Sequence, residues 1–304
     1  MKQYLAVDIG GSKTKAVVFD SKSTIAEYET IGFGTAVDSN DDIPELRELL
    51  SSISDKYDIC SAAVNLGGKN KTQIQNIVTK FFPNNTIFRE SEGHASAAFG
   101  RSCGANAVLL AGTGTIGIAF DENNYIISGG WGMNIGDGGS GYSIGLEAIK
   151  QSLAALDNTS PLTAMQKEIT GLDEPIPVSA DPALICKIRD NVRSRIFPIE
   201  RKRVASYAKT VAKYCEKGEE DALNIMKTAG HEMAYMMSGC IMKIQPFKVR
   251  KVAVSGGLVN VRKYWQDEFE NILQETAGVS EFIYENDGIL LGTMCIASEQ
   301  LLRK

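Results

Sequence analysis

The sequence is poor in the residues that build metal sites of the zinc type. Its 304 residues include two histidines and six cysteines. The cysteines, at positions 60, 103, 186, 215, 240 and 295, form no CxxC pair, and none has a histidine beside it. A structural zinc site built from Cys and His is therefore not expected. Isolated cysteines of this kind are mostly small buried hydrophobic residues.

The sequence also lacks long apolar runs and an excess of basic charge. No stretch approaches the roughly 18 apolar residues of a membrane-spanning helix, and the N-terminus shows no signal-peptide pattern. The net charge of −5 argues against a nucleic-acid surface. We therefore expect a cytoplasmic protein that binds neither membrane nor nucleic acid. Hydrophobic residues at 43% and charged residues at 23% are typical of a globular chain, here long enough for two cores.

Glycine is abundant, and one glycine pair follows an acidic strand end near the N-terminus. The apolar run YLAVDI predicts a buried strand that ends at Asp8, and Gly10, Gly11 and Ser12 predict a tight turn. The chain then returns as a second strand from Lys13. Mg²⁺ prefers one or two carboxylates together with substrate phosphates. Asp8 is therefore a candidate ligand for a hydrated Mg²⁺.

A second glycine-rich stretch follows the apolar run at Leu109. It begins with the turn AGTGT, in which glycines let backbone N–H groups approach an anion and threonines add hydroxyl donors. A short β-rich return leads to a loop that holds Trp131 and Asp137. The pattern predicts a phosphate cradle followed by a polar ligand loop. The turn at Ser255 follows another predicted strand and would admit the adenosine side of ATP.

Four segments, DIGGSKTK, AGTGTIG, GGWGMNIGDGGSGY and VSGG, occur in an order and spacing that resemble the actin-like ATPase and sugar kinase superfamily. The resemblance is to its N-acetylglucosamine kinase branch, which also contains the BadF and BadG type ATPases, and it spans Asp8 to Gly288. It implies an α/β fold of two actin-like (ribonuclease H-like) domains. Each would be a mixed sheet of βββαβαβ order flanked by helices, with a nucleotide cleft between the domains.

The resemblance also implies an activity and a domain division. The activity is ATP-dependent, Mg²⁺-assisted phosphorylation of an N-acetylated amino sugar, N-acetylglucosamine or N-acetylmuramic acid, by direct in-line transfer. We also expect a homodimer. The first domain is predicted over residues 1–91, completed by a C-terminal helix at 289–304, and the second over 92–288. Residues 157–180, rich in Pro, Thr and Gly, are predicted to be an insertion or connector.

The catalytic base in the resembling kinases is an Asp at the start of a helix, and Glu92 is the best match to it here. Glutamate is one methylene longer, so the acceptor would have to sit further back. Glu90 is the second candidate, and simple capping of the helix by Glu92 stays open. Asn65, before a strand-end glycine pair, is expected at the substrate. Sugar contacts are implied for Thr113, Gly130, Trp131 and Asp137, and nucleotide contacts for Gly10, Gly11, Ser12, Lys13, Gly112, Gly114, Thr115, Ser255, Gly256 and Gly257.

Two departures from the resembling kinases concern the acceptor pocket. Ala36 stands at or next to a place where those kinases carry an Asn, and Ile116 follows the phosphate-cradle motif where a polar residue is common. A pocket without these amide contacts rejects analogues only weakly. We therefore expect a relaxed acceptor range that includes amino sugars with a bulky 3-substituent, such as N-acetylmuramic acid.

Other interpretations stay open. An ATP-hydrolysing activator of a 2-hydroxyacyl-CoA dehydratase or benzoyl-CoA reductase would need cysteines for an iron–sulfur cluster, and the glycine loop has none. A nucleotide-sensing binding module is the non-enzymatic alternative. The basic run between Arg189 and Arg203 predicts a solvated helix face, or else a rim that attracts an anion. The glycines before the helix predicted at 140–156 suggest a helix N-terminus open to an anion.

Overall fold

A computed structural model describes residues 1–10, 13–33, 43–67, 70–90, 92–122, 124–244 and 248–299 of the chain. The side chains of Glu92 and Glu299 lie outside this description. The elements, in chain order, are β1 (Gln3–Ile9), β2 (Lys13–Phe19), β3 (Thr24–Ile31), α1 (Pro44–Ser54), β4 (Ile59–Leu66), α2 (Lys71–Phe81), β5 (Thr86–Arg89), α3 (Glu92–Ser102), β6 (Ala107–Ala111), β7 (Thr115–Phe120), β8 (Tyr125–Gly129), α4 (Gly141–Leu156), α5 (Ala164–Thr170), α6 (Pro182–Ile196), α7 (Arg201–Glu216), α8 (Glu220–Lys243), β9 (Lys251–Ser255), a 3-10 helix (Gly257–Tyr264), α9 (Gln266–Ala277), β10 (Glu281–Glu285) and α10 (Gly288–Glu299).

The chain forms two compact units. Unit 1 comprises Met1–Val108 and Asp287–Lys304, and unit 2 comprises Leu109–Asn286. The sheet of unit 1 has the strand order β3-β2-β1-β4-β5, and the sheet of unit 2 has the order β10-β9-β6-β7-β8. Read from its other edge, the second order repeats the first, because β6 to β10 take the places of β1 to β5. This repetition confirms the predicted α/β fold of two five-stranded, helix-flanked sheets.

Both faces of the unit 1 sheet are covered by helices. Strand residues alternate between the two faces, as the pleat requires. Leu5 and Val7 pack on the face shared with α1 and α2. Ala6 lies on the opposite face, where it shares a core with Ala95 of α3 and Ala297 of α10. The sheet is mixed, since β1 pairs antiparallel with β2 and parallel with β4.

Helix α3 lies in unit 1, whereas the sequence placed residues from 92 onward in the second domain. Its packing on α10 explains the difference. Gly292 of α10 lies against the backbone of α3, so that a Cβ at this position would stand 1.8 Å from the Ala95 carbonyl oxygen. Glycine permits this close approach of two helices because it has no side chain.

In unit 2, a stripe of methionines on α8 forms part of the core. Met226, Met233 and Met237 are fully buried, and a Cβ at Gly117 of β7 would lie 2.6 Å from the Met237 sulfur. These three side chains are therefore part of the hydrophobic core of unit 2. The predicted connector at 157–180 contains α5, which a capping box between Thr163 and Gln166 begins. Among the described residues, no helix combines the length and apolarity that crossing a membrane requires.

Candidate functional site

Asp8 and Asn65 are neighbours at the carboxyl ends of two parallel strands in unit 1. The register of β1 and β4 places them opposite each other, and Asn65 Nδ2 donates a hydrogen bond to Asp8 Oδ1 at 2.9 Å. Burial raises the pKa of the Asp8 carboxyl above its ordinary value, whereas the Asn65 hydrogen bond and the charge of Lys13 act to lower it. Asn65 was expected at the substrate, but in the structure it holds Asp8.

The Asp8 and Asn65 pair fits a magnesium ion. The buried Oδ1 atom of Asn65 has no hydrogen-bond partner within the described part of the chain. It is a hard oxygen donor beside a carboxylate, the donor type that Mg²⁺ prefers, and Mg²⁺ needs only one or two carboxylates when phosphates complete its coordination. The predicted assignment of Asp8 to the metal is therefore chemically consistent with its surroundings.

Two lysines and a second carboxylate surround this pair. Lys15 lies opposite Asp8 in the β1–β2 register, and its Nζ is 2.6 Å from Asp287 Oδ2. Lys13 Nζ is 3.7 Å from Asp287 Oδ1. The sequence assigned a nucleotide contact to Lys13, whereas the roles of Lys15 and Asp287 were missed. Alternation along β2 was the available signal for Lys15, since residues two apart share a face.

The hairpin after Asp8 is closed by a backbone hydrogen bond from Gly10 N–H to the Lys13 carbonyl at 3.0 Å. Gly11 and Ser12, the two predicted phosphate contacts between them, lie outside the described residues. The structure thus describes the base of the predicted turn and the strands that carry it.

Of the two candidate bases, the structure describes the side chain of Glu90 only. Glu92 is the first residue of α3, and its side chain lies outside the described part. Glu90 is exposed, and its Oε1 accepts a hydrogen bond from Gln75 Nε2 of α2 at 3.0 Å. Helix α2 covers the sheet face opposite to that of Ala6, and Asp8 follows Ala6 on its face. Glu90 is therefore directed away from Asp8.

In unit 2, residues 112–114 form a glycine turn between β6 and β7, and internal hydrogen bonds hold it. Gly112 N–H donates to the Gly114 carbonyl at 3.0 Å. The Thr115 amide approaches Asp137 Oδ1 at 3.4 Å, and its hydroxyl donates to the Gly138 carbonyl at 2.8 Å. Thr115 is buried, so in this arrangement it joins the turn to the following loop instead of offering its hydroxyl to a phosphate.

The N-terminus of α4 closes onto the same turn. Gly141 N–H donates to the Gly112 carbonyl at 2.8 Å, and Tyr142 N–H donates to the Thr113 carbonyl at 3.2 Å. The Ser140 hydroxyl accepts from Ser143 N–H as the N-cap. The expectation that this helix N-terminus is open to an anion is wrong, because its first amides are bound to the turn.

Residues 130–140, which we name the tryptophan loop, place Trp131 in solvent and Asp137 inside. The Trp131 side chain is 77% exposed, so Trp131 is not a core residue. Gly130 lies on the side chain of Ile116, where a Cβ would be 2.5 Å from it. Asp137 adopts a φ of 58°, and its carboxylate, predicted to bind sugar, is engaged by protein groups at both oxygens.

Glu232 of α8 fastens the end of the tryptophan loop, a role that the sequence did not indicate. Its Oε2 atom accepts from Gly139 N–H at 2.6 Å and from the Ser143 hydroxyl at 3.3 Å. A carboxylate bound by a backbone amide makes a strong charge-assisted hydrogen bond. The loop is therefore fixed at its base by α8 as well as by the glycine turn.

Residues 255–257, the serine turn, lie beside the end of β6. Gly256 has a φ of 114°, and a Cβ on it would stand 2.5 Å from the Ala111 carbonyl oxygen. Ser255 is buried, and its hydroxyl donates to the Asn286 carbonyl at 3.4 Å. A Cβ on Gly257 would meet no atom within 4 Å. Of the three predicted adenosine contacts, Gly257 therefore offers the open surface.

Two units that repeat one strand order define an actin-like ATPase and sugar kinase fold. The sequence also matches the BadF/BadG/BcrA/BcrD ATPase family over residues 5–290. The chain belongs to that family.

Comparison with individual proteins gives likenesses over the whole chain. The N-acetylmuramic acid/N-acetylglucosamine kinase of Clostridium acetobutylicum is 25% identical over 316 residues, covering 99% of each chain. A candidate N-acetylglucosamine kinase from Chromobacterium violaceum has a TM-score of 0.65 at 16% identity, covering 96% of this chain and 99% of that one. The activator of the 2-hydroxyisocaproyl-CoA dehydratase from Clostridium difficile reaches 0.51 at 14%, covering 99% and 96%. The two structural likenesses show a common fold.

Proposed function

We propose that the protein is an ATP-dependent kinase that phosphorylates an N-acetylated amino sugar, either N-acetylglucosamine or N-acetylmuramic acid. The observation that carries this proposal is the hydrogen-bonded connection between the glycine turn and the tryptophan loop in unit 2. A sugar kinase needs a phosphate-binding turn and a sugar-binding surface side by side. The similarity to the Clostridium acetobutylicum kinase over the full chain supports the same class of enzyme.

The described residues suggest a division of roles. Trp131 offers an exposed aromatic face, on which a pyranose ring can pack. Asp8 and Asn65 would hold Mg²⁺, which spreads the charge of the phosphates. In the transfer, the acceptor hydroxyl oxygen bonds to the γ-phosphorus as the bond to the bridging oxygen of ADP breaks. We assign the hydroxyl proton to the carboxylate of Glu92, at the start of α3.

The acceptor range is a further part of the proposal. Ala36, on which the expectation of a wide pocket depends, lies outside the described residues. Ile116 lies against Gly130 at the start of the tryptophan loop, so an apolar side chain does stand beside the proposed sugar surface. We propose that N-acetylmuramic acid is accepted with N-acetylglucosamine, as the name of the Clostridium acetobutylicum relative says of that protein.

An ATP-hydrolysing activator of a dehydratase is the second candidate, and the Clostridium difficile likeness favours it at the level of the fold. Such an activator needs cysteines for an iron–sulfur cluster. The tryptophan loop contains none, which is why the kinase is preferred. Iron and visible absorbance in protein purified without oxygen would support the activator instead.

The proposal is tested by ADP release in the presence of ATP and Mg²⁺ with each of five sugars: N-acetylglucosamine, N-acetylmuramic acid, glucosamine, N-acetylmannosamine and glucose. We expect the two named N-acetylated sugars to give the highest kcat/KM. A preference for N-acetylglucosamine over N-acetylmuramic acid beyond about 10³-fold exceeds what a methylene-scale contact supplies, and would contradict the proposed acceptor range. The proposal also includes a cytoplasmic location and a homodimer. The molecular mass in solution would check the homodimer.

A further inference from the structure

The basic run from Arg189 to Arg203 extends from α6 into α7, and one of its arginines differs from the others in its contacts. Four of its arginines are bound away from the glycine turn, to carboxylates or to backbone carbonyls. The partners are Asp157 for Arg189, Asp190 for Arg193, the Glu168 and Ile169 carbonyls for Arg195, and the Phe197 and Arg195 carbonyls for Arg203. Arg201, the first residue of α7, instead reaches the tryptophan loop and the glycine turn.

Arg201 is held over the glycine turn by a buried carboxylate. Its Nη2 is 3.0 Å from Asp137 Oδ2, and the Asp137 side chain is only 3% exposed while that of Arg201 is 41% exposed. A Cβ on Gly114 would lie 2.5 Å from Arg201 Nη2 and 2.9 Å from Asp137 Oδ2. A glycine at 114 is therefore what allows the guanidinium to lie against the turn.

The guanidinium retains capacity for a ligand. Arginine carries five N–H donors in a planar fork, and within the described part of the chain only its bond to Asp137 is recorded. Meanwhile the amides of Gly112 and Thr115 donate inside the unit. An anion on this turn would therefore need donors other than these two amides, and the exposed fork of Arg201 lies against the turn at Gly114.

We propose that Arg201 binds an anionic oxygen group docked on the glycine turn, with Asp137 as its positioning residue. The fork of arginine matches the paired oxygens of a phosphate or a carboxylate. Two sources share this chemistry: the terminal phosphate of the nucleotide, and the carboxylate of an acidic amino sugar. The choice of these sources rests on the proposed function, whereas anion binding by Arg201 rests on the geometry alone.

The test compares Arg201→Gln with Lys202→Gln on the full chain. Both variants remove one positive charge, and Lys202 is the exposed neighbour in the same helix. Loss of a hydrogen bond to a charged group predicts a fall of about 10- to 100-fold in kcat/KM. An equal fall with N-acetylglucosamine and N-acetylmuramic acid identifies the phosphate. A fall confined to N-acetylmuramic acid identifies the carboxylate. Values within twofold of the Lys202→Gln variant overturn the inference.

Two further variants and binding measurements distinguish ligand binding by Arg201 from a purely structural role of this residue. Arg201→Lys keeps a charge beside Asp137 but removes the fork, and Arg201→Gln combined with Asp137→Asn removes the buried unpaired carboxylate. We expect Arg201→Lys to keep the wild-type Tm and the double variant to regain it. Calorimetric affinity for pyrophosphate or for N-acetylmuramic acid should stay at least tenfold reduced in both. Recovery of wild-type affinity for both probes in either variant would refute ligand binding by Arg201.

The same binding measurements keep this inference separate from the proposed function. If the wild-type protein phosphorylates no sugar, the kinase proposal fails. The affinities of wild type and Arg201→Gln for pyrophosphate and for N-acetylmuramic acid then still decide whether Arg201 binds an anion.

Discussion

At the residue scale, Asp8 owes its position to the neighbouring strand. The β1–β4 register brings Asn65 beside it, and the amide hydrogen bond orients one carboxylate oxygen. The sequence shows an apolar strand that ends in an acidic residue before a glycine pair, so the position of Asp8 at a strand end could be predicted. The partner role of Asn65 could not, because 57 residues separate the two in the chain and only the pairing of the strands makes them neighbours.

Asp8→Asn tests the metal assignment. Loss of the carboxylate should lower Mg²⁺-dependent turnover by about 10²-fold, since a bound metal supplies several kcal/mol of transition-state stabilisation. The measurement is initial rate against Mg²⁺ concentration. Asp58→Asn, an exposed acid of the same unit, serves as the control with an unchanged curve. An unaltered Mg²⁺ dependence in Asp8→Asn would remove Asp8 from the metal site.

Glu92→Gln tests the catalytic base. General base catalysis contributes roughly 10²- to 10⁴-fold, so kcat should fall by that order while the sugar dissociation constant stays within a few fold, because the lost interaction belongs to the transition state. Glu90→Gln is the matched control, and its bond to Gln75 on the other face predicts near wild-type kcat. A normal kcat in Glu92→Gln, or a large loss in Glu90→Gln, would reassign the base.

The contacts of other residues of the site had no signal in the sequence, for the same physical reason. Arg201 is 64 residues from Asp137, Glu232 is 93 from Gly139, and Asp287 is 272 from Lys15. Their partners are set by tertiary packing, and no local spacing encodes such contacts. The glycine turns, in contrast, are local: the backbone conformation and the residue that permits it lie in the same few positions.

At the scale of elements, the strands and long helices were predictable because each carries its own period of burial. Helix α5 was missed because Pro, Thr and Gly around it indicated a connector. The capping box at Thr163 and Gln166 was nevertheless present in the sequence as a helix start. In this segment the capping box, which starts a helix, had more effect on the structure than the abundance of turn-forming residues.

The serine turn contains two adjacent glycines whose replacement by alanine should affect stability differently. Gly256→Ala should destabilise the protein by about 1–3 kcal/mol, because its backbone angles suit glycine alone and a Cβ would clash with the Ala111 carbonyl. Gly257→Ala should leave the free energy of unfolding within about 0.5 kcal/mol but raise the KM for ATP. Denaturant unfolding and ATP kinetics measure the two effects. Equal stabilities of both variants would contradict the close approach at Gly256.

Two helical glycines test the contact between α3 and α10. Gly292→Ala should cost about 1–3 kcal/mol of stability through overpacking against Ala95. Gly239→Ala, on the exposed side of α8 with no atom near its added Cβ, should instead stabilise by up to about 1 kcal/mol, because alanine favours the helix. Thermal or denaturant unfolding should thus give opposite signs. A neutral or stabilising Gly292→Ala would show that α10 does not pack closely on α3.

At the scale of the whole molecule, the sequence predicted a repeated sheet, and the repetition is present in both strand orders. The predicted domain boundary near residue 91 differs from the observed division at Val108 and Leu109. The glycine motifs mark the strands of each repeat, but the helix that joins the repeats can belong to either. Helix α3 belongs to unit 1 because it packs with α10, an element from the far end of the chain.

The most direct test of the account is the stoichiometry between ADP and phosphorylated sugar. Wild-type protein is incubated with ATP, Mg²⁺ and either N-acetylglucosamine or N-acetylmuramic acid, and both products are measured by mass spectrometry. We predict one sugar monophosphate for each ADP and negligible ADP without sugar. ADP formed at the same rate with and without sugar, with no phosphorylated sugar in any reaction, would contradict the kinase and favour an ATP-hydrolysing activator.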